Sequence, residues 1–217
     1  MNLNEEIKSA IFDFDEEKLK EVCSLAIKNE GKDPINIVKL IADVMSLIGE
    51  RFENEEMMLP ELIVAANVVK AAIAEVLDPA IKESGRVLET KGRVVIGTVE
   101  GDVHSIGKDL VASFLFANGY EVYNVGVDVP ASKFIEKAEE VGADVIAMSS
   151  LITLSMDFQK EVIDELERRN LKEKYITIVG GAPTSEDWAS KIGADGWADD
   201  ALETVKLLDG IVLKKKK

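Results

Sequence analysis

The sequence predicts an all-α bundle followed by an α/β domain with a parallel sheet, and three observations carry that reading. Apolar residues recur at three- and four-residue spacing from the start of the chain to about Ser84. From Arg93 onward, short apolar runs alternate with amphipathic helical runs. Between Glu83 and Gly92 both patterns lapse into Gly85, Thr90 and Gly92 among charges, the composition of a linker. The expected domains are therefore residues 1–88 and residues 89–217.

In the first domain a short leading helix is expected around Leu3 to Phe12. Asp15 can cap a second helix running to about Asn29, where Gly31 ends it. Asp33-Pro34 supplies an N-cap with proline at the first helical position. The third helix carries Ile37, Val38, Ile41, Val44, Met45, Ile48 and Phe52 as one broad apolar stripe. After a break at Glu53 to Met58, Pro60 opens a fourth helix with Leu62, Ala65, Ala66, Val69, Ile73, Val76 and Leu77 inward. Together they read as a four-helix bundle.

The second domain reads as five β–α units. Its expected strands are Val94 to Val99, Tyr120 to Val125, Val145 to Ser149, Ile176 to Val179 and a weaker run near Ala194 to Ala198. Helices are expected near Gly107 to Asn118, Ala131 to Val141, Ser155 to Asn170, Ser185 to Ile192 and Ala201 to Leu208. Short β–α units with right-handed crossovers leave few topologies, and the flavodoxin-like strand order 2-1-3-4-5 is expected.

Composition excludes several functions. Lys and Arg number 26 against 41 Asp and Glu, and a formal charge of −15 repels nucleic acid and anionic lipid. The longest run without a charged residue, Val145 to Met156, falls short of the roughly 20 apolar residues of a membrane-spanning helix. The acidic start lacks the basic-then-apolar order of a secretory signal, so a cytoplasmic location is expected. A single cysteine, Cys23, rules out an internal disulfide framework and any multi-cysteine metal site. It falls in a helical pattern with Leu19, Val22 and Ala26 and reads as a core residue. The terminal Lys214 to Lys217 run reads as a solvated tail.

In an open parallel sheet, ligands bind beyond the carboxyl ends of the strands, where helix N-termini point their free N–H groups. The unusual residues of this chain gather there. Strand 1 is followed by Glu100-Gly101-Asp102-Val103-His104-Ser105-Ile106-Gly107-Lys108, strand 3 ends in Ser149-Ser150-Leu151-Ile152-Thr153, and strand 4 ends in Gly180-Gly181-Ala182-Pro183-Thr184. The expected order makes strands 1, 3 and 4 neighbours, so three odd loops border one crevice. His104 is the sole histidine, and Asp102 can fix its tautomer and raise its basicity. Each feature alone is ordinary: a loop histidine beside a carboxylate, a hydroxyl at a strand end, a Gly-Gly turn. Their joint placement suggests a ligand reaching from the histidine loop into a slot kept open by glycines. Loop 1 has neither the Walker A lysine nor the Gly-x-Gly-x-x-Gly spacing, which disfavours phosphoryl transfer and nicotinamide binding.

The pattern Asp102-x-His104-x-x-Gly107, Ser149-x-Leu151, Gly180-Gly181 resembles the cobalamin-binding domain of B12-dependent methyltransferases, that of methionine synthase and the free-standing corrinoid proteins included. The stretch from Phe52 through Met57-Met58-Leu59-Pro60-Glu61-Leu62 is similar to the helical cap that precedes that domain, so nearly the whole chain is covered. The resemblance implies that His104 is the lower axial ligand of cobalt in a base-off, His-on cofactor. It implies a relay through Asp102 to Ser155, with Ser149 bonding the displaced base and Leu151 lining its slot. Gly180 and Gly181 would leave space for the nucleotide tail, and Phe52, Leu59 and Leu62 would shield the methyl group. One departure is Leu154, where the methionine synthase relatives carry proline.

The implied role is a methyl carrier: cobalt(I) accepts a methyl group from a substrate-specific methyltransferase, and methyl-cobalt(III) passes it to a second methyltransferase serving tetrahydrofolate or coenzyme M. A reductive activation protein would be a third partner. The chain looks too short to hold those catalytic domains, so it is expected to be a corrinoid subunit and not a complete enzyme. The cap must move aside to expose the methyl group, and Gly85 to Gly92 is the expected hinge. A B12-dependent sensor would share the cap and histidine but carry a DNA-binding domain in front. A small subunit of an adenosylcobalamin mutase would share the motif without this cap, and a plain flavodoxin-like module would match three loops by chance.

Overall fold

A computed structural model describes residues 2–84 and 90–215, so most of the expected hinge, residues 85–89, lies outside the described residues, as do the last two lysines. The chain divides into two compact units, Met1–Glu89 and Thr90–Lys217.

The helical unit contains α1 (Leu3–Phe12), α2 (Glu16–Lys28), α3 (Pro34–Glu53) and α4 (Leu59–Ala72). Their starts follow the capping residues of the sequence. Asn2, Asp15 and Asp33 each accept a backbone N–H of the first turn, satisfying donors the helix leaves open. At α4, Glu61 accepts the Met58 N–H at 2.7 Å and performs the same task from inside the helix. Ile7, Ile11, Leu19, Cys23, Ile37, Ile41, Ile48 and Leu62 are buried, so the periodic stripe is the core. Burial pushes the Cys23 thiol up to about 11, which leaves it protonated and unreactive.

The fourth helix does not run straight to its end. It passes through a π turn, Ile73–Leu77, into α5 (Asp78–Glu83). Pro79 explains the turn: it has no N–H to donate to Glu75, and its ring would strike that carbonyl in a regular helix. The wider turn carries the chain past the clash, with the Asp78 N–H reaching back to the Ile73 carbonyl.

The α/β unit contains β1 (Arg93–Thr98), α6 (Ile106–Ala117), β2 (Glu121–Asn124), α7 (Ala131–Val141) and β3 (Val145–Ser149). A short 3-10 turn (Thr153–Ser155) leads into α8 (Met156–Arg168), followed by β4 (Ile176–Gly180), α9 (Glu186–Ile192), β5 (Gly196–Trp197) and α10 (Ala201–Lys215). The strands pair in parallel in the order β2-β1-β3-β4-β5, as expected. β3 and β4 are buried along four of their five residues, which is why they read as continuous apolar runs and not as alternation. Val95, Phe134, Ile146, Val162, Leu166 and Val179 share one core cluster. At Gly97 a Cβ would sit 2.6 Å from Val125 and 2.8 Å from Phe134, so that glycine lets α7 pack closely on β1.

Register delivers the site. Thr98 pairs with Ser149, and Ser149 pairs with Gly180, forming one row across the carboxyl ends of β1, β3 and β4. The three loops singled out in the sequence therefore leave the sheet side by side.

Candidate functional site

The site is built around a buried carboxylate. Asp102 is 1% exposed, in the loop between β1 and α6. Its Oδ1 accepts the His104 backbone N–H at 3.0 Å and contacts His104 Nδ1 at 2.7 Å. Its Oδ2 accepts the Leu151 N–H at 2.7 Å, the Ile152 N–H at 3.3 Å and the Ser155 hydroxyl at 3.0 Å. Burial pushes this carboxyl up, but the bonds from the His104 and Leu151 backbone, the imidazole and Ser155 outweigh it and hold the group at about 2. Asp102 is thus ionised at neutral pH and can only accept.

That charge assigns the imidazole tautomer. With Nδ1 donating to a carboxylate, Nε2 is left with its lone pair. The ring is half exposed, and its Nε2 has no partner among the described residues. The Thr98 hydroxyl holds the backbone of the same residue, donating to the His104 carbonyl at 2.7 Å. The segments after β1 and β3 carry exposed apolar side chains, Val103, Ile106, Leu151, Ile152 and Leu154, the last 86% exposed. No group of three or more His, Cys, Asp or Glu among the described residues could hold a metal ion by itself. One oriented nitrogen, on a segment that carries exposed apolar side chains, would instead suit a metal whose other ligands come from its own organic cofactor.

The loop that carries Asp102 is braced by a residue the sequence reading passed over. Asp128, at φ 54°, accepts the Gly101 N–H at 2.8 Å and donates its own N–H to the Asp102 carbonyl at 2.9 Å. Aspartate is one of the few residues that adopt the left-handed region readily. Only its place among turn residues, Val127-Asp128-Val129-Pro130, hinted at this.

The other expected residues divide into groups. Asp102, His104 and Ser155 come together directly. Ser149 is half-buried at the end of β3, and Leu151, whose N–H donates to Asp102, is 45% exposed. At Gly107, in the first turn of α6, a Cβ would meet nothing, so the surface there is open. Gly180 at the end of β4 and Gly181 just after it have an internal reason to be glycine. A Cβ on Gly181, whose φ is +119°, would stand 1.8 Å from the Ser150 carbonyl oxygen, and one on Gly180 would stand 3.3 Å from the Ala198 carbonyl. At both positions the space a side chain would take borders neighbouring backbone.

Two buried side chains secure this strand end. Gln159 donates to the Met148 and Gly180 carbonyls at 3.0 and 3.2 Å and accepts from Trp188 Nε1 at 2.9 Å. Thr184 donates to the Gly181 carbonyl and accepts from Trp197 Nε1 at 2.9 Å. In the helical unit, Phe52 and Leu59 are half-buried, whereas Leu62 is 2% exposed, on the stripe it shares with Ala65, Ala66 and Val69.

A parallel sheet whose three central strand ends converge on an oriented histidine, accompanied by a helical unit, defines a cobalamin-binding protein. The family description "B12 binding domain" matches twice, over residues 92–206 and, through a second family, over residues 3–77. A corrinoid protein of Desulfitobacterium hafniense (strain Y51) is 41% identical over 216 residues, 99% of either chain. Trimethylamine corrinoid protein 1 of Methanosarcina acetivorans is 40% identical over 207 residues, 95% of either chain. The crystal structure of the methanol:cobalamin methyltransferase complex MtaBC from Methanosarcina barkeri matches with a TM-score of 0.87 at 30% identity, over 97% of this chain and 80% of that one. The chain belongs to the corrinoid proteins of methyltransferase systems, and its cofactor is cobalamin or a related corrinoid. None of the helices among the described residues is long and apolar enough to cross a membrane.

Proposed function

We propose that this protein is a methyl carrier whose corrinoid is held base-off, with His104 Nε2 as the lower axial ligand of cobalt. The observation that supports this reading most directly is the 2.7 Å contact between His104 Nδ1 and the buried Asp102 carboxylate. When bound, the cofactor supplies a cobalt centre that takes up a methyl group from one partner and yields it to another.

The chain's own residues have three tasks in this proposal. Asp102 keeps the Nδ1 proton on His104 and makes Nε2 the better electron donor, while Ser155 moderates that effect by sharing the same carboxylate. Ser149 would hydrogen-bond the displaced nucleotide base and Leu151 would line its slot, Gly107 would take part in holding the cofactor, and Gly180 and Gly181 would leave space for the nucleotide tail. Phe52 and Leu59 of the helical unit are assigned to the methyl-bearing side of the cofactor, which must be kept from water and oxidants, whereas Leu62, the third residue the resemblance names, is 2% exposed and belongs to the bundle's own core.

By the names of the relatives, the donor class is a methylamine or methanol, delivered by a substrate-specific methyltransferase. A second methyltransferase, acting on tetrahydrofolate or coenzyme M, would receive the methyl group, and a reductive activation protein would restore cobalt(I) after accidental oxidation.

Electron paramagnetic resonance of the cobalt(II) form tests the axial ligand. Because His104 is the sole histidine, ¹⁵N-histidine labelling reports on one side chain. The expected result is an axial nitrogen hyperfine pattern that changes with the label and disappears in His104→Ala. A pattern insensitive to both changes would overturn the assignment.

A further inference from the structure

Ser155 has one hydroxyl proton and two acceptors within reach: Asp102 Oδ2 at 3.0 Å and the Ile152 carbonyl at 2.9 Å. A hydroxyl donates once, so one acceptor must do without it. What decides the direction lies on the other side. Ser150 is fully buried, its Oγ 2.7 Å from Ser155 Oγ and 3.1 Å from the same Ile152 carbonyl. A proton donated by Ser150 to Ser155 Oγ fills one of that oxygen's acceptor positions and leaves its own proton to point away, toward the charged acceptor. Donation into a hydroxyl also strengthens the bond that hydroxyl makes in turn, and a carboxylate is a stronger acceptor than a carbonyl.

We infer that Ser150 is a positioning residue of the site, extending the hydrogen-bonded line to Ser150, Ser155, Asp102 and His104. It orients the Ser155 proton onto Asp102, and so sets how strongly that carboxylate draws on the Nδ1 proton of the imidazole. Ser150 is itself held by the β4 end: its N–H donates to the Gly180 carbonyl at 3.1 Å, and its carbonyl occupies the volume a side chain on Gly181 would need. The Gly-Gly pair and the histidine are thereby two ends of one assembly. The consequence at cobalt rests on the axial role proposed for His104, but the line itself belongs to the cofactor-free chain and is tested there.

The sole histidine makes that test direct. In the ¹⁵N-histidine-labelled, cofactor-free full chain at a single alkaline pH, the Nδ1-bound proton resonance reads the strength of the bond to Asp102. Ser155→Ala removes a donor from the carboxylate, so the resonance is expected to move downfield. Ser150→Ala is expected to move it in the same direction by a smaller amount, and to move it no further in the Ser155→Ala background. An absent shift in Ser150→Ala, or an equal shift with and without the Ser155 hydroxyl, would overturn the inference. The two readings fail separately. Loss of the axial nitrogen signature in the cobalamin-loaded protein, with the serines still coupled, would remove only the axial role. A label-sensitive axial nitrogen with uncoupled serines would remove only this inference.

Discussion

The two units of this protein solve the burial of polar groups in opposite ways. Among the described residues, every buried polar or charged side chain lies in the α/β unit: Thr98, Asp102, Lys108, Ser150, Ser155, Gln159, Thr177, Thr184 and Thr204. In the helical unit the polar contacts sit at helix starts and on the surface, as where Lys20 reaches Glu16, Glu17 and Glu75. A bundle core of aliphatic side chains tolerates exchange of one apolar residue for another of similar volume. A buried hydrogen-bonded assembly tolerates little, because removing one member strands the others. The helical unit is thus specified by pattern, and the α/β unit by particular pairings.

The sharpest way to break that contrast is Gly181→Ala. The substitution forces a left-handed φ on alanine and drives its Cβ into the Ser150 carbonyl, which is expected to destabilise the α/β unit by about 3 kcal/mol or more. Trp188 and Trp197 are the only tryptophans and both lie in that unit, so their fluorescence during urea unfolding follows it. A midpoint equal to wild type would mean that the Ser150 carbonyl does not constrain the strand end.

Asp102→Ala comes next. It leaves the N–H groups of His104, Leu151 and Ile152 without their buried acceptor, an expected cost of about 2 kcal/mol. It also frees the imidazole to rotate and change tautomer. Cobalamin titration followed by the axial nitrogen signal should show loss of the ordered ligand even where the cofactor still binds; an unchanged signal would separate Asp102 from the histidine.

The matched change in the helical unit is Ile48→Val, a fully buried residue of α3. It should cost only about 1 kcal/mol, visible in the far-ultraviolet helical signal and not in the cobalamin spectrum. A loss as large as that of Gly181→Ala would contradict the view of the bundle as the forgiving unit.

Asp195 gives a smaller, pH-dependent effect. Burial pushes its carboxyl up, but Lys172 and the N–H and hydroxyl of Thr177 more than offset this and hold it below the usual carboxylate range. A depressed folded-state pKa contributes stability above the unfolded value of about 4, and that contribution is lost as pH falls through the folded value. Asp195→Asn should therefore flatten the acid side of the stability profile, leaving its slope near neutrality unchanged. Smallest of all, Lys20→Ala should leave the thermal midpoint close to wild type, because surface ion pairs are screened by water and salt.

Much of this architecture was legible beforehand for identifiable reasons. Helix periodicity and caps at Asp15 and Asp33 announce α2 and α3, since the capping side chain and the helix it starts are neighbours in sequence. The β–α alternation yields the 2-1-3-4-5 order because crossover handedness prunes the alternatives. The π turn before Pro79 was missed, although the proline itself was the signal. The end of α10 is expected at Leu208 but the helix continues to Lys215, because Asp209-Gly210, which reads as a helix stop, is carried through as helix. β5 shrinks to Gly196–Trp197, a length below any periodic signal.

For the site, the sequence by itself determined which residue types stand at which strand ends: Asp102, His104 and Ser155, the Ser149-x-Leu151 pair and the two glycines. Motif spacing survives in one dimension because each part is local. What only the tertiary structure decided is how the parts depend on one another. Asp102 meets Leu151, Ile152 and Ser155 across some fifty positions of chain, Asp128 braces the histidine loop from the segment between β2 and α7, and Ser150 stands against Gly181 in a space one side chain would close. Hydrogen bonds and excluded volume act over a few ångströms whatever the separation along the chain. Partners so distant in sequence become visible only when the sheet register brings them into one row.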